Sequence, residues 1–267
     1  ARFKISYNEA ETLKVSLLIY NLFIRLTGAD TIFVPETNIR NGFLLNRFST
    51  ENEELQAEFN SQIVASAKNL LRKYHGDEQH AECVRMIATK LYDTLKNEVA
   101  LDDHARILLE TSAILHDIGK IVIPDNILQK PGIYTPDERA AMKAHAPAGG
   151  KLIRKNMHQL QEKAFVDMAY AVATYHHERW NGNGYPEGLA GLDIPLEARV
   201  MAIADVFDAL TSKRSYKEPI SFEDALKIMS NGSGSDFEPC LIEAFLSNPE
   251  ELKLKTQELH SSCCRRK

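Results

Sequence analysis

Apolar residues along this chain recur mostly at three- and four-residue intervals, the period of helices buried on one face. Near 78–97, His80, Val84, Ile87 and Leu91 share one stripe; near 101–117, Leu101, Ala105, Leu108, Ser112 and Leu115 do the same. Near 196–213, the stripe is Ala198, Met201, Ala202, Asp205 and Ala209. Further helices are predicted over Pro136 to Lys143 and around Ala169, Val172 and Ala173. The N-terminal part reads differently. A long apolar pattern covers 7–28, Thr31 to Val34 before Pro35 predicts a short strand, and Phe43 to Leu45 forms a second short apolar run. Two irregular stretches interrupt the helices: Ile121 to Gly132, with Pro124 and Pro131, and Asn181 to Pro195, with four glycines and two prolines. Loops of that length within a helical domain usually serve function.

The chemistry shows where polar residues occupy positions that should be apolar. His80 lies on the inward face of its helix, and Asp205 lies in an alanine-rich stripe. A buried carboxylate costs several kcal/mol unless a cation or hydrogen-bond donors compensate it. His116-Asp117 and His176-His177 each end an apolar helix, and His145 opens the segment after Lys143. A single such histidine is ordinarily a core or surface residue. Together, however, five of the nine histidines and two aspartates make the mixed imidazole and carboxylate set that suits iron, manganese or zinc. Seven ligands exceed the needs of one ion and suit two, an arrangement that can hold a hydroxide and clamp a phosphate. Lys120, three residues after Asp117, is placed to stabilise a phosphoryl transition state or protonate a leaving oxygen.

Composition narrows the setting. The 267 residues are 44% hydrophobic and 26% charged, with a net charge of −5. That is an ordinary globular balance with no basic surplus for binding a nucleic-acid polymer. No apolar run reaches the roughly 20 residues that span a bilayer. The run from Val15 to Leu26 is interrupted by Tyr20, Asn21 and Arg25. No signal peptide is evident. Cys83, Cys240, Cys263 and Cys264 fit neither a disulfide framework nor a zinc knuckle. Reduced thiols and a cytoplasmic location are expected. A start at Ala1 without methionine is expected of a piece of a longer polypeptide or of a processed chain.

In order and spacing, several motifs resemble the HD-GYP domain over about residues 75–248. They are His116-Asp117-Ile118-Gly119-Lys120, the Ile123-Pro124-Asp125 to Lys130-Pro131-Gly132 stretch and His145. They continue with His176-His177-Glu178 running to Gly184-Tyr185-Pro186, Ile203-Ala204-Asp205-Val206-Phe207-Asp208, and Arg214 to Lys217. The resemblance implies an all-α fold: an HD-domain helical bundle over 61–250, with a small N-terminal α/β segment over 1–60 and a tail over 251–267. It implies metal ligands at His80, His116, Asp117, His145, His176, His177 and Asp205, with Asp117 bridging two divalent transition-metal ions, iron or manganese. It further implies a catalytic role for Lys120, phosphate contacts from Arg214 and Lys217, and substrate handling by Tyr185. It also implies partner docking, such as that of a diguanylate cyclase, through the same Gly-Tyr-Pro loop. Some members bind a third metal through a glutamate one turn before the first histidine. Gly76 stands there, which favours two.

A second resemblance covers about 40 residues. Glu9 to Leu13, Thr27 to Asp30, Val34-Pro35 and Asn38 to Gly42 are similar to the end of the actin-like lobe of exopolyphosphatase and pppGpp phosphohydrolase proteins. The phosphate-binding loops of that lobe lie upstream, so its activity is not expected here. The function implied is a phosphodiesterase opening cyclic di-GMP to pGpG, with a second cut to GMP in the family's repertoire, through a hydroxide held by two metals. Two alternatives stay open: another cyclic dinucleotide or a guanosine polyphosphate as substrate, or a non-catalytic cyclic dinucleotide receptor.

Overall fold

The computed structural model describes residues 78–96, 102–157, 163–212, 219–254 and 256, all within one compact unit. The apolar pattern at 7–28, the strand expected at 31–34, the segment resembling the exopolyphosphatase lobe, Gly76, Arg214 and Lys217 lie outside these residues.

The regular elements among the described residues are helices. Numbered in order they are α1 (Glu78–Lys96), α2 (Asp103–Ala113), α3 (Asp125–Leu128), α4 (Pro136–Lys143) and α5 (His145–Met157). Then follow α6 (Lys163–Tyr175), α7 (Leu196–Thr211), α8 (Phe222–Asn231) and α9 (Pro239–Leu246). Tight 3-10 turns occur at Ile118–Val122 and Gly191–Asp193. Extended pairing among the described residues is limited to isolated bridges, Asn181 with Ala190 and Ser233 with Phe237. Among the described residues the all-α architecture is thus as expected, and no described helix is long and apolar enough to cross a membrane.

Local chemistry sets the helix starts. The Asp102 carboxylate accepts from the His104 amide at 3.1 Å, and Ser221 accepts from Asp224 at 3.1 Å. Thr135 and Glu138 form a reciprocal capping box ahead of Pro136, where a missing amide hydrogen costs nothing. The apolar stripe read through 101–117 does not stay α-helical to its end. The helix stops at Ala113, and Leu115, His116 and Ile118 donate to carbonyls three residues back. This tightening lets the chain turn under α5. Gly119 makes the approach possible: a Cβ there would lie 1.9 Å from the His145 carbonyl oxygen. The long 121–132 loop also holds a short helix, α3, that periodicity alone did not indicate.

The core is built by α1, α2, α7, α8 and α9. Val84, Ile87 and Leu91 of α1 pack with Leu109, Met201, Ile203, Phe207, Met229 and Phe245. Each such side chain contributes roughly 1.5–3 kcal/mol by leaving water. Leu252, past the boundary expected at 250, also belongs to this core. Helix α5 packs on α6 and on the 118–122 turn, α6 on α2, and α7 on both α1 and α6. The ends of several helices are thereby brought to one side of the core.

Candidate metal centre

Five histidines and two aspartates converge from separate elements. His80 comes from α1, His116 and Asp117 from the turn after α2, and His145 from the first residue of α5. His176 and His177 follow α6, and Asp205 comes from α7. Their ligand atoms fall into two groups, His80, His116 and Asp205, and His145, His176 and His177. Within each group, all atoms lie within 4.8 Å of one another. Asp117 stands between the groups. Its Oδ2 is 3.3 Å from His116 Nε2, and its Oδ1 is 3.4 Å from His145 Nε2. All seven residues singled out from the sequence are therefore brought together.

Three of the rings are fixed by the backbone. The Nδ1 atoms of His116, His145 and His176 donate to the carbonyls of Ala113, Met142 and Val172 at 2.8, 2.7 and 2.9 Å. A carbonyl oxygen can only accept, so each of these rings carries a proton on Nδ1 and turns Nε2 inward. Burial first, then the neighbouring imidazoles, pushes His176 well below the ordinary histidine value. Burial likewise lowers His145, and brings His177 down to about 4. The Nε2 atoms of His145 and His176 nevertheless face each other at 3.5 Å. Two lone pairs so close repel unless a cation lies between them.

The other group makes the same point with opposite charge. Burial works against a charge on His80, but hydrogen bonds to Asp205 and Asp208 and the charges of Asp205 and Asp117 raise it to about 9. Burial would also raise Asp117 and Asp205. Lys120 and His116 beside the first, and His80 beside the second, instead hold both well below the usual carboxylate range. In the metal-free protein a proton on His80 thus stands where the carboxylates require positive charge. The donor set, imidazole nitrogen and carboxylate oxygen without thiolate, fits divalent iron, manganese or zinc.

Around this cluster, the Lys120 ammonium donates to Asp117 Oδ2. Tyr185 stacks on His177, with ring centroids 4.7 Å apart and planes 29° from parallel, and Lys143 Nζ lies 4.8 Å from the Tyr185 centroid. Two further residues were given no role from sequence. Asp208, fully buried, takes the His80 Nδ1 at 2.6 Å. Its signal was its place in the same alanine stripe, three residues after Asp205. Glu178 is buried and ties down the Gly-Tyr-Pro loop, accepting from the amides of Glu187 at 2.8 Å and Gly188 at 3.1 Å. Gly184 presses against Glu178 so closely that a Cβ would sit 2.4 Å from its Cα.

A buried histidine–aspartate cluster of this kind, set in a bundle of packed helices, is a site that could hold metal ions. The HD domain family model matches residues 58–241, and the chain belongs to that family. It is 45% identical over 183 residues to a probable cyclic di-GMP phosphodiesterase of Vibrio cholerae, covering 68% of this chain and 40% of that protein. It is 36% identical over 214 residues to a cyclic di-GMP phosphodiesterase of Thermotoga maritima, covering 79% and 55%. A 3'3'-cGAMP-specific phosphodiesterase of V. cholerae is 41% identical over 144 residues, covering 54% and 27%. The chain thus spans about half the length, or less, of these curated relatives.

Proposed function

We propose that this chain carries the catalytic domain of an HD-GYP-type, metal-dependent phosphodiesterase whose substrate is a cyclic dinucleotide, cyclic di-GMP foremost. The observation that carries the reading is the pair of three-ligand groups with one Asp117 oxygen turned toward each. His80, His116 and Asp205 would hold one divalent ion and His145, His176 and His177 a second, with Asp117 shared. Such ions, iron or manganese by the donor set, supply Lewis acidity that neutralises a phosphodiester and lowers the pKa of water.

The chain's own groups do the rest. Lys120, on Asp117, offers a proton and positive charge to the departing ribose oxygen. Tyr185, fixed against His177 by the Glu178-tied loop, forms one wall against which the substrate is oriented. Arg214 and Lys217 are assigned the phosphate contacts by family resemblance. Opening the ring gives linear pGpG, and a second cut gives GMP. The same loop is the surface for docking a diguanylate cyclase. A second substrate, 3'3'-cGAMP, is favoured by the similarity to a phosphodiesterase specific for it.

The test is to purify the protein anaerobically, measure bound iron and manganese, and time the hydrolysis of cyclic di-GMP, 3'3'-cGAMP and pppGpp. Cyclic di-GMP is expected to turn over fastest. Asp117→Ala is expected to lower turnover by at least about a thousandfold, on the scale of losing a principal catalytic group, and to lower metal content. A variant that keeps both would reject the assignment.

A further inference from the structure

His80 differs from the other histidines whose outer nitrogen is tied. His116, His145 and His176 are each backed by a main-chain carbonyl, a partial charge. His80 is backed by a full carboxylate, Asp208 Oδ2, at 2.6 Å. Asp208 is 0% exposed, and Ser212 Oγ donates to its other oxygen at 2.7 Å. Both carboxylate oxygens are thus engaged, and the His80 ring is held with Nε2 directed at Asp205 Oδ1, 3.2 Å away, and at His116 Nε2, 3.3 Å away.

The two halves of the centre therefore differ in charge. Around His80 stand Asp205, Asp208 and, at 3.8 Å, Asp117 Oδ2. The other half consists of three imidazoles, with Asp117 Oδ1 at 3.4 Å from His145 and Asp205 Oδ2 at 4.0 Å from His177. Lys143 stands close to that second half, over the Tyr185 ring that stacks on His177.

We propose that Asp208 is a positioning residue that fixes the His80 imidazole toward His116 and Asp205 and makes that half-site the tighter of the two for a divalent cation. The proposal rests on reading the centre as a two-ion site. An anion behind a ligand imidazole fixes its tautomer and increases its donor strength. The same anion also favours a proton on His80, but a dication carries twice the charge and gains more from it. Loading is then ordered: the first ion enters beside His80, and the second enters the all-histidine half and leaves it more readily.

The experiment uses the metal-free full chain, titrated with Mn2+ by equilibrium dialysis at fixed pH. Unbound Mn2+ is read by electron paramagnetic resonance. Two classes of site, with constants at least about tenfold apart, are expected in the wild type. His177→Gln should weaken only the weak class, which assigns the classes to the halves. Asp208→Asn keeps the size and an acceptor for Nδ1 but removes the charge. It should weaken the tight class by about ten- to a hundredfold and leave the weak class within about threefold. A merely structural role would weaken both classes together, and that result would overturn the proposal, as would an unchanged tight class. Should Asp208→Asn fail to fold, Ser212→Ala frees one carboxylate oxygen, and a tight class weakened by about threefold or more is expected; no change would count against the proposal. Two equal classes in the wild type would sink this inference alone. A protein that binds no Mn2+ would sink the two-ion reading beneath it.

Discussion

Helix α7 serves two regions of opposite character. Phe207 points into an aromatic cluster, edge-on to Phe222 at 5.7 Å and to Phe245 at 5.1 Å. Its neighbours in sequence, Asp205 and Asp208, face the histidines. The apolar side gains free energy on burial without help. The polar side buries carboxylates and imidazoles that cost free energy unless positive charge is supplied. One helix can therefore anchor a domain through one face while holding, on the other, a cluster whose burial calls for compensating positive charge. Stability and metal content should respond to different changes.

The largest expected effect tests the apolar side. Phe207→Ala should lower unfolding free energy by about 3–5 kcal/mol, the usual cost of emptying an aromatic core site. Urea unfolding of the metal-free protein measures it, and a loss below about 1 kcal/mol would mean the cluster is not the anchor. Next comes pH, which acts on the polar side. His145, His176 and His177 have folded pKa values below the ordinary 6.5, with His177 near 4. The unfolded chain then binds protons that the folded chain refuses, so the stabilisation is present above pH 6.5 and is lost as pH falls toward 4. His80 has the opposite sign: its pKa near 9 gives stability that is full below pH 6.5 and fades as pH rises through 9. The metal-free protein should therefore show a lower urea midpoint at pH 5 than at pH 7.5. An equal midpoint would mean that the burial of the three imidazoles is not felt. The smallest effect joins the two regions. Gly119→Ala forces a Cβ onto the His145 carbonyl and should cost about 1–3 kcal/mol while displacing His145, a proposed ligand. A drop in metal content alongside stability would mark this turn as the place where packing and coordination are coupled.

Much of the centre was legible because its residues break a pattern. Asp205 interrupts an alanine stripe, and His116-Asp117 and His176-His177 end apolar helices, so each stands out against its surroundings. Helix identity was legible for the same reason, as in the stripe of Val84, Ile87 and Leu91. Asp208 was harder to read. It sits one turn beyond Asp205, and nothing in the spacing says which of the two faces ligand and which backs a ring. The end of α2 at Ala113 was also hidden, because the apolar stripe continues through Leu115 while the backbone tightens to fit under α5. Gly119 then packs against His145, a tertiary contact that the spacing of apolar residues does not reveal.

The Gly-Tyr-Pro loop is fastened at a distance. The Trp180 amide donates to the Asp236 carbonyl at 3.1 Å, the Asn181 amide to the Ser235 carbonyl at 2.9 Å, and Arg179 pairs with Asp236 at 2.8 Å. The loop beside His177 thus depends on a turn more than fifty positions further along the chain. A shortened version ending between Asp205 and that turn would retain every proposed ligand yet lose these distant ties of the loop, so the unit that holds Tyr185 in place extends well beyond the last of the proposed ligands.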